Sequence, residues 1–146
     1  MAVNPDTNKR INHEKLTRFV QAAFEKLGVP AADAQIAAQT LVAADLRGVD
    51  THGVIRFSPH AWYVKWLSDG SMTAKPNIQV ISETPSTALL DGDRGMGMVI
   101  GHRAMELAIE KAKQCGIGMG GVRNSRHYGM SAYYSMMALP HDMIGI

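Results

Sequence analysis

The strongest pattern in the chain is a helical stripe in which Leu16, Phe19, Val20, Ala23, Phe24 and Leu27 recur at i, i+3, i+4 and i+7. That spacing gathers apolar side chains on one helix face and predicts a helix from Asn12, stopped by Gly28 and Pro30. A second helix is predicted from Ala31 to Arg47, with Ile36, Thr40, Leu41 and Ala44 on its buried side. Its many alanines permit close approach, and the short connection makes the two an αα-hairpin. Gly48-Val49-Asp50 breaks the pattern, and Thr51-His52-Gly53 leads into a third helical stretch ending near Leu67. Trp62 and Trp66 in that stretch are spaced like core aromatics. The polar residues 1–11, with Asn4-Pro5-Asp6, read as a loose arm.

Beyond Pro76 the period shortens. Ile78 to Ile81 and Thr87 to Leu90, separated by Thr84-Pro85-Ser86, predict two short strands. The glycine-dense loop from Asp91 to Gly97 opens a helix from about Met98 to Gln114, with Gly116 as its cap. Ile117 to Val122 predicts a buried strand whose glycines let another backbone or a ligand come close. A helical pattern runs from Gly129 to Leu139, Pro140 ends it, and Met143 to Ile146 reads as the start of another strand. The fold class is therefore α/β, with helices in residues 1–75 and the sheet in residues 76–146. A chain closing in mid-strand without a polar tail looks cut, so it is expected to be part of something larger.

Composition narrows the function classes. With 146 residues, 46% of them hydrophobic, a single packed domain is the starting expectation. The 15 Lys+Arg and 13 Asp+Glu are interleaved, and the net charge of +2 implies neither nucleic acid nor an acidic membrane surface as partner. The single cysteine, Cys115, excludes an internal disulfide and fits a reducing compartment. No apolar run approaches the roughly 20 residues of a membrane span, and the first residues lack a signal-type apolar core. The expected location is the cytoplasm.

The candidate chemistry lies in two polar knots. In the first, Asp50-Thr51-His52-Gly53-Val54-Ile55-Arg56, a histidine and an arginine four residues apart share one face if the segment is helical. Histidine can hand a proton to a developing alkoxide near neutral pH, and a guanidinium grips a carboxylate through two parallel hydrogen bonds. The second knot is Asn124-Ser125-Arg126-His127-Tyr128-Gly129. Small and hydrogen-bonding neighbours leave both His52 and His127 approachable, whereas His13, His102 and His141 are explained by capping or solvated positions. A metal site is disfavoured, because His52 and His60 lie about 12 Å apart on a straight helix. A serine hydrolase would want a Gly-x-Ser-x-Gly elbow, and none occurs. The Asp91–Gly97 loop reads as a strand-to-helix turn rather than a phosphate cradle, since Asp91 and Asp93 would repel the anion.

Arg47 to Arg56 and Asn124 to Gly129 together resemble the malate/L-lactate dehydrogenase family, which includes ureidoglycolate, sulfolactate and diketogulonate reductases and is distinct from the Rossmann dehydrogenases. The resemblance covers nearly the whole chain and implies an α/β, mixed-sheet fold with a helical N-terminal hairpin. The implied activity is NAD- or NADP-dependent interconversion of 2-oxo and 2-hydroxy acids such as malate, lactate or a ureidoglycolate-like compound. On the residues that match, it implies His52 and His127 as catalytic groups, Thr51 orienting His52, and Arg56 and His60 as substrate-binding residues. It further implies that His127, Tyr128, Gly129, Met130 and Ser131 line the cofactor, with residues 76–146 as the first part of the cofactor domain and no metal. Many relatives have tyrosine where this chain has His60, which leaves substrate choice open. Relatives are roughly twice as long and dimeric, so the chain is expected to form a homodimer or to associate with a missing C-terminal half, and to be inactive alone. The rival reading is a non-catalytic remnant serving dimerisation or assembly.

Overall fold

The computed structural model describes residues 10–58 and 62–146; His60 and most of the N-terminal arm lie outside the described residues. Helix α1 (His13–Lys26) starts where the Asn12 side chain accepts the main-chain N–H of Lys15 at 3.0 Å, satisfying one of the amides a helix start leaves unpaired. After Gly28 (φ +87°) and Pro30 the chain re-enters a helix as α2 (Ala31–Leu46). These two pack as the expected hairpin. On α1 the buried positions are Val20 and Phe24, while Phe19 is 65% exposed, so the apolar stripe is narrower than its spacing predicts. On α2 the alanines at 34, 37, 38 and 44 are fully buried around Leu41 and Thr40, and Ile36 is only half-buried.

The predicted third helix is not continuous. Asp50–His52 and Val54–Phe57 form two separate 3-10 turns, and α3 (Trp62–Ser68) follows. The break falls at Gly53, whose backbone is extended and whose place against the Asp45 carboxylate leaves no room for a Cβ. Strand β1 (Gln79–Glu83) pairs antiparallel with β2 (Thr87–Asp91), with an irregularity between Val80 and Ser82. Helix α4 (Gly97–Cys115) crosses over to β3 (Met119–Arg123), which lies parallel to β2. The order β1-β2-β3 makes a mixed sheet of three strands among the described residues. Ala88 and Leu90 face Ala104 and Leu107 of α4. Strand β3 is exposed rather than buried, but its glycines act as expected: a Cβ on Gly120 would collide with the main chain at Ala104, so the missing side chain lets α4 lie against the strand. Helix α4 ends at Gly116, left-handed at φ +79°, whose N–H returns to the Ala112 carbonyl. Helix α5 (Ser131–Met136) is short, and Met143 to Ile146 form no strand.

The main core crosses from the helical region into the sheet-containing region: Val20, Phe24, Ala37, Leu41 and Tyr63 pack with Met72, Met96, Met98 and Val99. Phe24 meets the Phe57 ring edge-on at 4.6 Å and the Tyr63 ring at 6.1 Å, contacts that each add about 1 kcal/mol beyond burial. A second tie is polar. Asp33, buried in the first turn of α2, accepts from Arg103 of α4 at 2.8 Å.

One glycine decides how α4 meets the second polar knot. At Gly97 a Cβ would overlap the Arg126 carbonyl oxygen, with His127 main-chain atoms 2.7 Å away. Gly97→Ala is expected to cost more than about 2 kcal/mol in urea unfolding, because backbone cannot yield as a flexible side chain can. Gly48→Ala, at φ +68° with open space around it, should cost only about 1 kcal/mol of conformational strain. Equal losses at the two positions would contradict this packing.

Candidate active site

The segment carrying His52 is held from beneath by α2. Asp45, in the last turn of that helix, accepts the Val54 N–H at 3.0 Å and so anchors the second 3-10 turn. Burial, reinforced by the nearby Asp50 charge and opposed by the Val54 hydrogen bond, holds the Asp45 carboxyl above its ordinary value. An acid at the C-terminal end of a helix opposes the helix dipole, and that placement was the one sequence signal pointing to Asp45. Thr51 Oγ1 lies 3.0 Å from Nδ1 of its neighbour His52. Arg56 donates from Nε to the Thr51 carbonyl, and its guanidinium carbon sits 4.3 Å above the Trp62 ring. His52 and Arg56 therefore belong to one unit, but through a hydrogen bond from the Arg56 side chain to the Thr51 carbonyl across two turns rather than a shared α-helical face.

The second knot is laced to the loop before α4. The Gly92 N–H donates to the Arg123 carbonyl, Arg94 N–H to Asn124, and Arg126 N–H to Gly95. Asp91 accepts from the Asp93 amide, from Asn124 and from Arg123. The amides of Gly92, Asp93, Arg94 and Gly95 are thus all spent inside the protein, and they hold the loop as a strand-to-helix turn. Arg126 reaches back through its guanidinium to the Ser71 carbonyl, and this fixes the knot against the turn after α3.

These two anchored segments bring the two histidines together. The rings of His52 and His127 are 5.5 Å apart and stacked at 28°. Trp62 stands edge-on to His127 at 5.3 Å and stacks on Trp66 at 5.5 Å. Trp66 packs against the core as expected. Trp62 does not: it is 39% exposed and forms a wall shared by Arg56 and His127. Tyr63, fully buried, points its hydroxyl at His127 Nδ1 from 2.8 Å. Burial pushes its ionisation well above the ordinary tyrosine range, with Arg56 acting weakly the other way. Partial burial, then the His52 and Arg56 charges, lowers the His127 pKa from its usual value. Sequence reasoning placed Trp62 in the core and gave no role to Tyr63 or Asp45, because their contacts with other elements, above all those of Tyr63 and Trp62 with His127, leave no local periodic signal.

The expected cofactor-lining residues divide by exposure. Gly129 is buried at φ +79°, where a Cβ would come 3.1 Å from Thr40 Cγ2. Met130 is buried as well, so both shape the backbone. Tyr128 is half-exposed, and its hydroxyl pairs with Ser131 Oγ at 2.7 Å, which leaves two hydroxyl groups at the surface beside His127. Among the described residues no cluster of His, Cys, Asp and Glu fit to hold a metal occurs, and no helix is long and apolar enough to cross a membrane.

A sequence profile of the malate/L-lactate dehydrogenase family matches residues 11–146. Malate dehydrogenase of Pyrococcus abyssi is 50% identical over 137 residues, which are 94% of this chain and 37% of that protein. L-sulfolactate dehydrogenase of Methanocaldococcus jannaschii is 42% identical over 146 residues, 100% of this chain and 39% of that protein. Among solved structures, malate dehydrogenase from Pyrococcus horikoshii OT3 superposes with a TM-score of 0.88 at 48% identity, covering 92% of this chain and 38% of that one. The chain spans about two fifths of the length of these relatives. With the profile matching nearly every described residue and the fold shared at high identity, the chain belongs to the malate/L-lactate dehydrogenase family.

Proposed function

We propose that this chain supplies the acid/base and carboxylate-binding part of an NAD- or NADP-dependent dehydrogenase that interconverts 2-oxo and 2-hydroxy acids. The observation that carries the reading is the stacked His52–His127 pair with Arg56 beside it on the Trp62 face. A 2-oxo acid offers a carboxylate and a carbonyl oxygen on adjacent carbons, so its recognition calls for a cation and a proton donor close together. Arg56 is the cation. Its Nε is committed to Thr51, and among the described residues no carboxylate pairs with it. Its remaining N–H groups are thus directed to a substrate carboxylate, with His60 as a further substrate contact.

During reduction the carbonyl oxygen gathers negative charge, and His52 gives it a proton: a ring N–H bond breaks, an O–H bond forms, and the electron pair stays on the imidazole. Thr51 orients that ring, and His127 faces the same oxygen. The two exposed hydroxyls of Tyr128 and Ser131, beside His127 and the backbone shaped by Gly129 and Met130, suit the carboxamide end of a nicotinamide. A dinucleotide held there would supply the hydride. The amides of residues 92–95 are spent inside the protein, so binding of the dinucleotide's phosphates is assigned to the part of the family's length that this chain does not span. For that reason the 146-residue polypeptide alone is inactive. The reading carries with it a cytoplasmic setting, in keeping with a lone exposed cysteine, and assembly as a homodimer or with the complementary part of the family's length.

The direct test grafts residues 11–146 in place of the matched stretch of the Pyrococcus horikoshii malate dehydrogenase and follows nicotinamide absorbance with a panel of 2-oxo acids. Turnover by the graft and none by the isolated chain is expected. Turnover by the isolated chain would refute its proposed inactivity, and a folded graft that reduces no 2-oxo acid would refute the dehydrogenase reading.

In the active graft, His52→Ala should lower turnover by about 10²-fold or more, as loss of an acid/base group does. Arg56→Lys should mainly raise KM for the 2-oxo acid, by about tenfold, since a point charge replaces a two-pronged donor. A fall in kcat with KM unchanged would remove Arg56 from carboxylate binding.

Stability should carry the mark of His127. Because its folded-state pKa lies below the usual 6.5, the unfolded chain binds the proton more readily. The associated stability is complete above about pH 6.5 and is lost as pH falls from there through the lowered value. Urea midpoints between about pH 8 and pH 5 should fall less steeply for His127→Asn than for the wild type. Parallel slopes would contradict a depressed His127.

A further inference from the structure

Two hydrogen-bond donors converge on one ring nitrogen of His127. The Tyr63 hydroxyl lies 2.8 Å from Nδ1, and the Gly129 N–H donates to the same atom at 3.3 Å. A main-chain amide can only donate, so Nδ1 must offer its lone pair, and the proton of the neutral ring then resides on Nε2. The Tyr63 hydroxyl consequently donates too. It is well placed to do so permanently: the side chain is fully buried between Phe24 and Trp66, and its burial disfavours the phenolate.

We propose that Tyr63 is a positioning residue that, with the Gly129 amide, holds His127 as the neutral Nε2–H tautomer, so that His127 donates a hydrogen bond to the substrate oxygen while the transferred proton comes from His52. This assignment deepens the dehydrogenase reading, and its statement about substrate rests on that reading; the tautomer and its cause do not. The surroundings agree. His52 stacks on the ring, Arg56 adds positive charge, Trp62 and Tyr128 close further sides, and none of these groups is an anion that would stabilise an imidazolium. The left-handed backbone at Gly129 turns the amide back toward the ring two residues earlier, a conformation that favours glycine.

The test reads the ring directly. In the 146-residue chain labelled with nitrogen-15, imidazole resonances are followed against pH in the wild type and in Tyr63→Phe, with His127 assigned by its absence in His127→Asn. Near pH 8 the wild-type ring should show a bare Nδ1 and a protonated Nε2. Removing the donating hydroxyl should raise the His127 midpoint by about half a unit to one unit, the equivalent of one hydrogen bond to the neutral form, while leaving the midpoint of His141 in place. A protonated Nδ1 in the wild type would overturn the proposal. So would a fall in the midpoint, which would mean that Tyr63 accepts from an imidazolium, and so would no change, which would make the hydroxyl a bystander. The wild-type tautomer needs no variant, so the proposal stays exposed to refutation even where Tyr63→Phe fails to fold. Because no turnover is read, failure here is distinct from failure of the graft to reduce a 2-oxo acid.

Discussion

The site depends on a backbone-to-backbone contact with no side chain in between. At Gly97 the first turn of α4 presses on the main chain of Arg126 and His127, and main-chain hydrogen bonds from Gly92, Arg94 and Arg126 lace the two segments together just before it. Core burial holds α4 against the α1–α2 hairpin, with Met96, Met98 and Val99 packed among Val20, Phe24 and Leu41. The hairpin in turn carries Asp45, on which the His52 segment rests. Two polar knots far apart in sequence are thus placed by one hydrophobic core and one close approach. Neither knot has a stable shape of its own, since short 3-10 turns and isolated loops make too few internal bonds.

This arrangement explains why polar residues dominate the site while an apolar core determines its geometry. Tyr63 belongs to both: its ring packs in the core against Phe24, and its hydroxyl reaches His127. Trp62, one residue earlier, lies on the opposite side of the boundary and gives Arg56 and His127 a common wall. Partial burial, with the His52 and Arg56 charges beside it, disfavours a cation on His127 and leaves Arg56 as the fixed cation of the group.

Much of the fold was legible in the residues. The helices of the hairpin, the two strands after Pro76, the crossover helix and the capping glycine at 116 all follow from periodicity and chain-breaking residues, which are local signals. What was not legible depends on contacts between distant segments. The third helix is broken at Gly53, where the chain is extended and the next amide, Val54 N–H, donates to Asp45 of the preceding helix. Phe19 stays exposed because the hairpin partner covers only the Val20 and Phe24 side of α1. Of the site, the two histidines and Arg56 could be singled out by the company of small polar neighbours, and the resemblance of both knots to one family agreed with the profile match. The roles of Tyr63, Trp62 and Asp45 could not, since each becomes visible only when separate elements are brought together.

The account stands on the meeting of His52 and His127, and proton–proton cross-relaxation between their rings in the 146-residue chain measures it most directly. Stacked rings 5.5 Å apart require cross-peaks between the two imidazoles, together with peaks from His127 to the Trp62 ring. Imidazole signals that show cross-peaks only to their own sequence neighbours would contradict the site and the chemistry assigned to it.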